Sequence, residues 1–189
     1  MLGMYEVIAA LFCMAYLYFT ATLHPAGWFC AFMSTAIYTW LFFDVNLWME
    51  SLLNIFYLVM ALYGFYCWVL NQKTVDKPVQ SWTMSQHLKV GVPTVLVALM
   101  IGFILNYFSL SSMTYLDSFT TCFAIVATFM LINKVIDNWI YWIVIDSLSI
   151  YMYLEKGLLV TSFLYCIYIV FALYNYFSWL KLQKVSYAY

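Results

Sequence analysis

The chain contains no arginine, and only 8% of its 189 residues are charged. Soluble globular domains carry about 25% charged residues, so an ordinary water-soluble globule is excluded. A net charge of −1 without arginine also argues against a nucleic-acid partner, because that binding needs Lys and Arg to displace counterions. Metal and redox chemistry have little to work with. His24 and His87 lie far apart and outside any HExxH-like spacing. Cys13, Cys30, Cys67, Cys122 and Cys166 all fall in apolar runs with no CxxC pair and read as small buried hydrophobes. No DDxxD, GxGD or nucleophile-elbow pattern occurs, so the residues indicate neither an enzyme nor a cofactor. The N-terminus has no basic region and no cleavage site, and its first hydrophobic segment is expected to be retained as a span.

What the chain does have is hydrophobic length and aromatic rings: 67% of residues are hydrophobic and 22% aromatic. A helix needs roughly 20 mainly apolar residues to cross about 30 Å of hydrocarbon. Seven stretches qualify, at about 4–23, 25–43, 47–70, 90–108, 114–132, 138–154 and 158–180. The expected fold is all-α, a polytopic membrane protein with seven transmembrane helices. The joints at His24-Pro25 and Asp44-Val45-Asn46 are short enough for tight hairpins, and Pro25 suits a first helical turn. The longest hydrophilic stretch, 71–89, is the only real linker. Seven spans leave the two ends on opposite sides. Lys73, Lys77, Lys89, Lys134, Lys181 and Lys184 would share one side, with Lys156 alone on the other. The positive-inside rule then puts the N-terminus outside and the C-terminus in the cytoplasm. Glu6, Asp44, Asp117 and Glu155 collect on the outer side.

One constant offset of 111 residues carries Trp28 onto Trp139 and Trp68 onto Trp179. At the same offset Ser51, Leu53, Tyr57, Val59, Ala61, Leu62 and Tyr63 meet identical residues, and Glu6 and Asp44 meet Asp117 and Glu155. The expected organisation is a first three-helix repeat (1–70), a loop and linker helix (71–111), a second three-helix repeat (112–181) and a cytoplasmic tail (182–189). The first helices of the two repeats run in the same direction. The repeats are therefore parallel, a 3+1+3 architecture of the SWEET type, and rocking one against the other gives alternating access. A small transporter is the leading class.

Candidate chemistry centres on the sixth segment, Asn138-Trp-Ile-Tyr-Trp-Ile-Val-Ile-Asp146. Trp139, Trp142 and Asp146 share a helix face, and Asp146 falls near mid-span, where an ionised group is costly. The third segment carries a stripe of Glu50, Asn54, Tyr57, Ala61, Gly64 and Trp68, and the seventh its counterpart of Thr161, Tyr165, Tyr168, Ala172, Asn175 and Trp179. Together with Asn138 these faces could line one cavity. Other uses are open to them. Trp139 and Trp142 suit an interfacial belt as well as a binding site, Trp68 and Trp179 suit a belt, and Tyr57 and Tyr168 could pack the repeats together. Asp146 could relay protons, yet a carboxylate flanked by indoles suits a cationic aromatic ring and would repel a phosphorylated one.

The same stretch, followed by Tyr151-Met-Tyr-Leu-Glu-Lys-Gly157, resembles the signature of the PnuC family of vitamin transporters. Glu50-Ser-Leu-Leu-Asn54 leading into Ala61-Leu-Tyr-Gly-Phe-Tyr-Cys-Trp68 resembles it too. The resemblance implies seven core helices, often a homotrimer, and facilitated diffusion made one-way by a cytoplasmic kinase that phosphorylates the vitamin. It implies ligand contacts at Trp139, Trp142, position 146, Asn54 and Tyr57. The family's cargoes are nicotinamide riboside, thiamine and riboflavin. Asn54 stands where glutamine is usual in the nicotinamide-riboside pattern, and Asp146 where asparagine is usual. The expectation is therefore thiamine, a permanent cation whose aminopyrimidine donates to a carboxylate, with nicotinamide riboside as the alternative. A SWEET-like sugar carrier, a membrane-embedded enzyme and a scaffold are the rival classes.

Overall fold

The computed structural model describes residues 2–44, 48–108, 113–155, 157 and 159–186, with side chains such as those of Glu50 and Lys73 outside that description. Lys156 and the Val45-Asn46 joint also lie outside the described residues. The described chain is helical: α1 (Leu2–Ala21), α2 (Ala26–Asp44), α3 (Trp48–Phe65, continued by a π-helical turn Tyr66–Leu70), a single turn α4 (Gln72–Val75), α5 (Met84–Tyr107), α6 (Thr114–Ile132), α7 (Asn138–Glu155) and α8 (Leu159–Ser186). The all-α expectation is borne out, and each of the seven apolar segments has its helix. Among the described residues, five of these, α1, α3 with its π-turn, α5, α6 and α8, are long and apolar enough to cross a membrane. α7 is not among them because Asn138, two tryptophans, Asp146 and two serines dilute its hydropathy. α5 begins at Met84, six residues before the apolar segment starts. Its polar first turn is helical because Gln86 Oε1 accepts hydrogen bonds from the Thr83 N–H (2.8 Å) and hydroxyl (3.0 Å).

The chain divides into two compact units, Met1–Lys77 and Pro78–Tyr189. In the first, α2 packs between α1 and α3. The Ser34 hydroxyl donates to Ala9 O (2.9 Å) and the Ser51 hydroxyl to Thr39 O (3.0 Å), so each helix pair is pinned by a hydroxyl that apolar surroundings cannot replace. The Trp28 indole lies directly on Gly64, where a Cβ would stand 2.5 Å from its ring carbons. Gly64→Ala is expected to destabilise the protein by about 1–3 kcal/mol through overpacking. A lowered melting temperature in detergent with helix content retained would show it; an unchanged one would mean that the indole moves freely.

In the second unit α6 packs against both α5 and α7, and α8 packs on α7. Tyr115 of α6 fills the space beside Gly102 of α5. The segment 78–83 is tied down along its length. Gln80 N–H donates to Lys134 O (3.0 Å), and Ile136 N–H donates to Gln80 O (2.9 Å). Trp82 N–H donates to Asp137 Oδ2 (2.7 Å), and Gln183 donates to the Ser81 hydroxyl (3.1 Å). The latter half of the hydrophilic linker is thus a strap across the α6–α7 turn.

Residues related by the 111-residue offset share local geometry. α1 ends with Leu23 in the left-handed region (φ 55°), Leu23 N–H on Thr20 O and His24 N–H on Phe19 O. α6 ends in the same way, with Lys134 (φ 55°), Lys134 N–H on Leu131 O and Val135 N–H on Met130 O. Both are Schellman turns whose left-handed residue carries a side chain, a conformation costing about 1–2 kcal/mol. No other described non-glycine residue has positive φ. The tryptophans also pair alike, Trp28 with Trp68 edge to face at 5.3 Å and 89°, and Trp139 with Trp179 at 5.5 Å and 88°.

Candidate functional site

The α7–α8 pair of the second unit gathers most of the singled-out polar residues. Asp146 is 5% exposed and has no ion pair among the described residues. A tyrosine lies beside it. The Tyr165 ring of α8 lies within electrostatic reach of the carboxylate, is hydrogen-bonded to Tyr153, and packs 5.1 Å from the Tyr153 ring and 5.4 Å from Tyr168. A buried carboxylate costs several kcal/mol unless a cation meets it. Among the described residues a phenol and no basic group meets it.

One end of the pair holds Asn138, Trp139, Asn175 and Trp179, each no more than 2% exposed. The Asn138 amide donates to Val135 O (2.6 Å), which leaves its Oδ1 buried with no partner among the described residues; Trp139 Nε1 is in the same condition. The Asn175 amide donates to Phe171 O (2.8 Å). Trp139 faces Trp179, whereas Trp142 is only half-buried and packs with Tyr141 and Phe123 on a core of Ala124, Ala127 and Ile145. The two indoles of α7 therefore have different surroundings, and Trp142 is the more accessible. Trp68 and Trp179 are buried at 5% and 0%, so neither belongs to a lipid-facing belt.

The remaining candidates lie in the first unit. Asn54 and Tyr57 are half-buried on α3, with Tyr57 close enough to Tyr16 to interact electrostatically. Glu50 lies outside the described side chains. The offset exposes an asymmetry: Gly27, Ala31, Thr35 and Gly64 occupy the positions of Asn138, Trp142, Asp146 and Asn175. Thr35 closes its hydroxyl on Ala31 O (2.8 Å), as a threonine buried in a helix does.

Sequence reasoning passed over Tyr153 as a site residue and left Tyr165 in its stripe without a role. Their spacing along α7 and α8 puts both on the Asp146 side, which was the available signal. An apolar groove of about 280 Å³ runs along α5 from His87 to Leu96 against Phe123. Its described lining contains no acid. Among the described residues no cluster of His, Cys, Asp and Glu could hold a metal ion.

The family model for nicotinamide mononucleotide transporters matches residues 3–181. The chain belongs to that family. The resemblance read from the α7 stretch and from α3 is thereby borne out, and the family is one of membrane transporters rather than enzymes. The nicotinamide riboside transporter PnuC of Haemophilus influenzae is 28% identical over 132 residues, covering 68% of this chain and 57% of that protein. The Escherichia coli nicotinamide riboside transporter PnuC is 22% identical over 182 residues, covering 82% of this chain and 76% of its own length. The crystal structure of a vitamin B3 transporter PnuC superposes with a TM-score of 0.72 at 23% identity, covering 97% of this chain and 88% of that one, and shows the fold to be shared.

Proposed function

We propose that the protein takes up an unphosphorylated, cationic aromatic vitamin, with thiamine as first cargo, by facilitated diffusion. The observation that carries this reading is Asp146, buried beside Tyr165, without an ion pair among the described residues and one helical turn from the accessible Trp142. A thiazolium charge would satisfy the carboxylate, the aminopyrimidine N–H groups would donate to it, and the indole would stack on the cation. Trp142, Asp146 and Tyr168 contact the ligand in this scheme. Asn138, Trp139 and Asn175 back them. Nicotinamide riboside is the second reading, favoured by the names of the Haemophilus and Escherichia relatives. It too is cationic and aromatic, with ribose hydroxyls that the tyrosines can bond.

The matching Schellman turns and tryptophan pairs support two parallel three-helix repeats, 1–70 and 112–181, joined through 71–111 in a 3+1+3 array of seven spans. Residues 182–189 then form a cytoplasmic tail and the N-terminus lies outside. A homotrimer and trapping by a cytoplasmic vitamin kinase complete the scheme. The carboxylate excludes phosphate esters, which suits cargo that is phosphorylated only after arrival. The deciding experiment titrates thiamine, nicotinamide riboside, riboflavin and thiamine phosphate into purified protein by tryptophan quenching or calorimetry. Binding of thiamine without its phosphate is expected. Preference for nicotinamide riboside moves the cargo and keeps the site; no binding by any of them removes the vitamin reading.

A further inference from the structure

His87, at the start of α5, belongs to no part of the ligand site, yet Tyr141, Asp137 and Trp82 all meet its ring. Its Nδ1 lies 2.9 Å from the Tyr141 hydroxyl and its Nε2 lies 3.8 Å from Asp137 Oδ2. That carboxylate oxygen is itself fixed by the Trp82 N–H at 2.7 Å. The imidazole stacks on the Tyr141 ring at 5.8 Å and 23°, and the Trp82 ring meets its edge at 5.5 Å. An oxygen beside Nε2 favours the proton there, which leaves Nδ1 to accept from the phenol. Phe123 of α6 approaches the Tyr141 ring at 6.0 Å. Tyr141 is thus clamped between α5 and α6, and it packs with Trp142 on Ala124, Ala127 and Ile145.

We infer that His87 is a positioning residue for the ligand site: through Tyr141 it fixes the rotation of the first turns of α7, and so the aim of Trp142. The inference rests on the transport reading above. α5 packs chiefly on α6, and this side-chain clamp, with the strap from Gln80 to Trp82, ties its start to α7. A rotation of α7 large enough to turn Trp142 away would break the His87–Tyr141 hydrogen bond and its ring stack together.

The test measures affinity for thiamine and for nicotinamide riboside, alongside melting temperature, in the full-length protein. His87→Ala and Tyr141→Phe are each expected to weaken binding about five- to tenfold, the scale of one hydrogen bond with its packing. The double variant should be no weaker than either single one, because both break the same link. His87→Asn, which returns an acceptor near the Nδ1 position, should recover most of the loss; a plain structural anchor predicts none of this pattern. Wild-type affinity in every folded His87 and Tyr141 variant, with Trp142→Ala still abolishing binding, would overturn the positioning role alone. If Trp142→Ala binds as well as wild type, the α7 site fails and the inference fails with it.

Discussion

Trp142→Ala is expected to weaken vitamin binding at least about a hundredfold while the protein stays folded. Cation–π contact with an indole is worth about 2 kcal/mol once water is excluded, and burying a ligand ring against it adds a similar amount, so a loss near 3–4 kcal/mol is expected. The fold should survive because Trp142 is only half-buried, and Tyr141, Phe123 and Ile145 continue to cover Ala124 and Ala127. Trp139→Ala provides the contrast. That indole is 2% exposed and locked edge to face with Trp179, so its removal opens a cavity costing about 3–5 kcal/mol of stability. Calorimetry and melting curves on the two variants separate the roles: Trp142→Ala should lose ligand and keep its melting point, and Trp139→Ala should lose its melting point first. Retained affinity in Trp142→Ala would remove the ligand from this helix.

The helices were legible because a membrane span imposes length and apolarity together, and α1, α3, α6 and α7 begin and end within a few residues of their apolar segments. Where the two requirements part, the boundary moved. The polar turn Met84–Lys89 is helix without being apolar, and α8 continues to Ser186, beyond the end of its apolar segment at about 180. The 111-residue offset was legible because tryptophan is rare enough to mark it, and the indole pairs it relates have like geometry. The left-handed Leu23 and Lys134 were not legible, since neither is the glycine or asparagine that such a turn favours.

Burial was the least readable property. Trp68 and Trp179 stand at helix ends, where a lipid-facing belt and a buried pair have the same sequence, and only the packing of each helix pair decides. The clamp of His87, Asp137 and Tyr141 was invisible for a related reason. His87 and Tyr141 are 54 residues apart and meet because the strap docks on the α6–α7 turn through main-chain hydrogen bonds, which composition does not encode. Asp146 was legible by contrast, because an acid inside an apolar helix has few inert explanations.

Asp146→Asn is expected to move stability and affinity in opposite directions. The carboxylate is 5% exposed, beside Tyr165 and without an ion pair among the described residues, so the ligand-free protein bears the cost of burying it, either as a charge or with a proton taken up. Asparagine keeps the shape and removes the charge, so the melting temperature should stay level or rise. The ligand loses its counter-charge. A hydrogen bond to a charged group is worth about 1.5–3 kcal/mol, so affinity should fall about ten- to a hundredfold. Thiamine should lose more than nicotinamide riboside, because its aminopyrimidine as well as its cation addresses the carboxylate, and the ratio of the two losses therefore reports which cargo the site was built for. A structural acid would behave otherwise: a lower melting temperature with affinity intact would assign Asp146 to packing against Tyr165. A proton relay gives a third pattern, in which the variant binds normally and its transport into vesicles no longer responds to a pH gradient. Binding, melting and vesicle uptake measured on this one variant distinguish the three roles by sign.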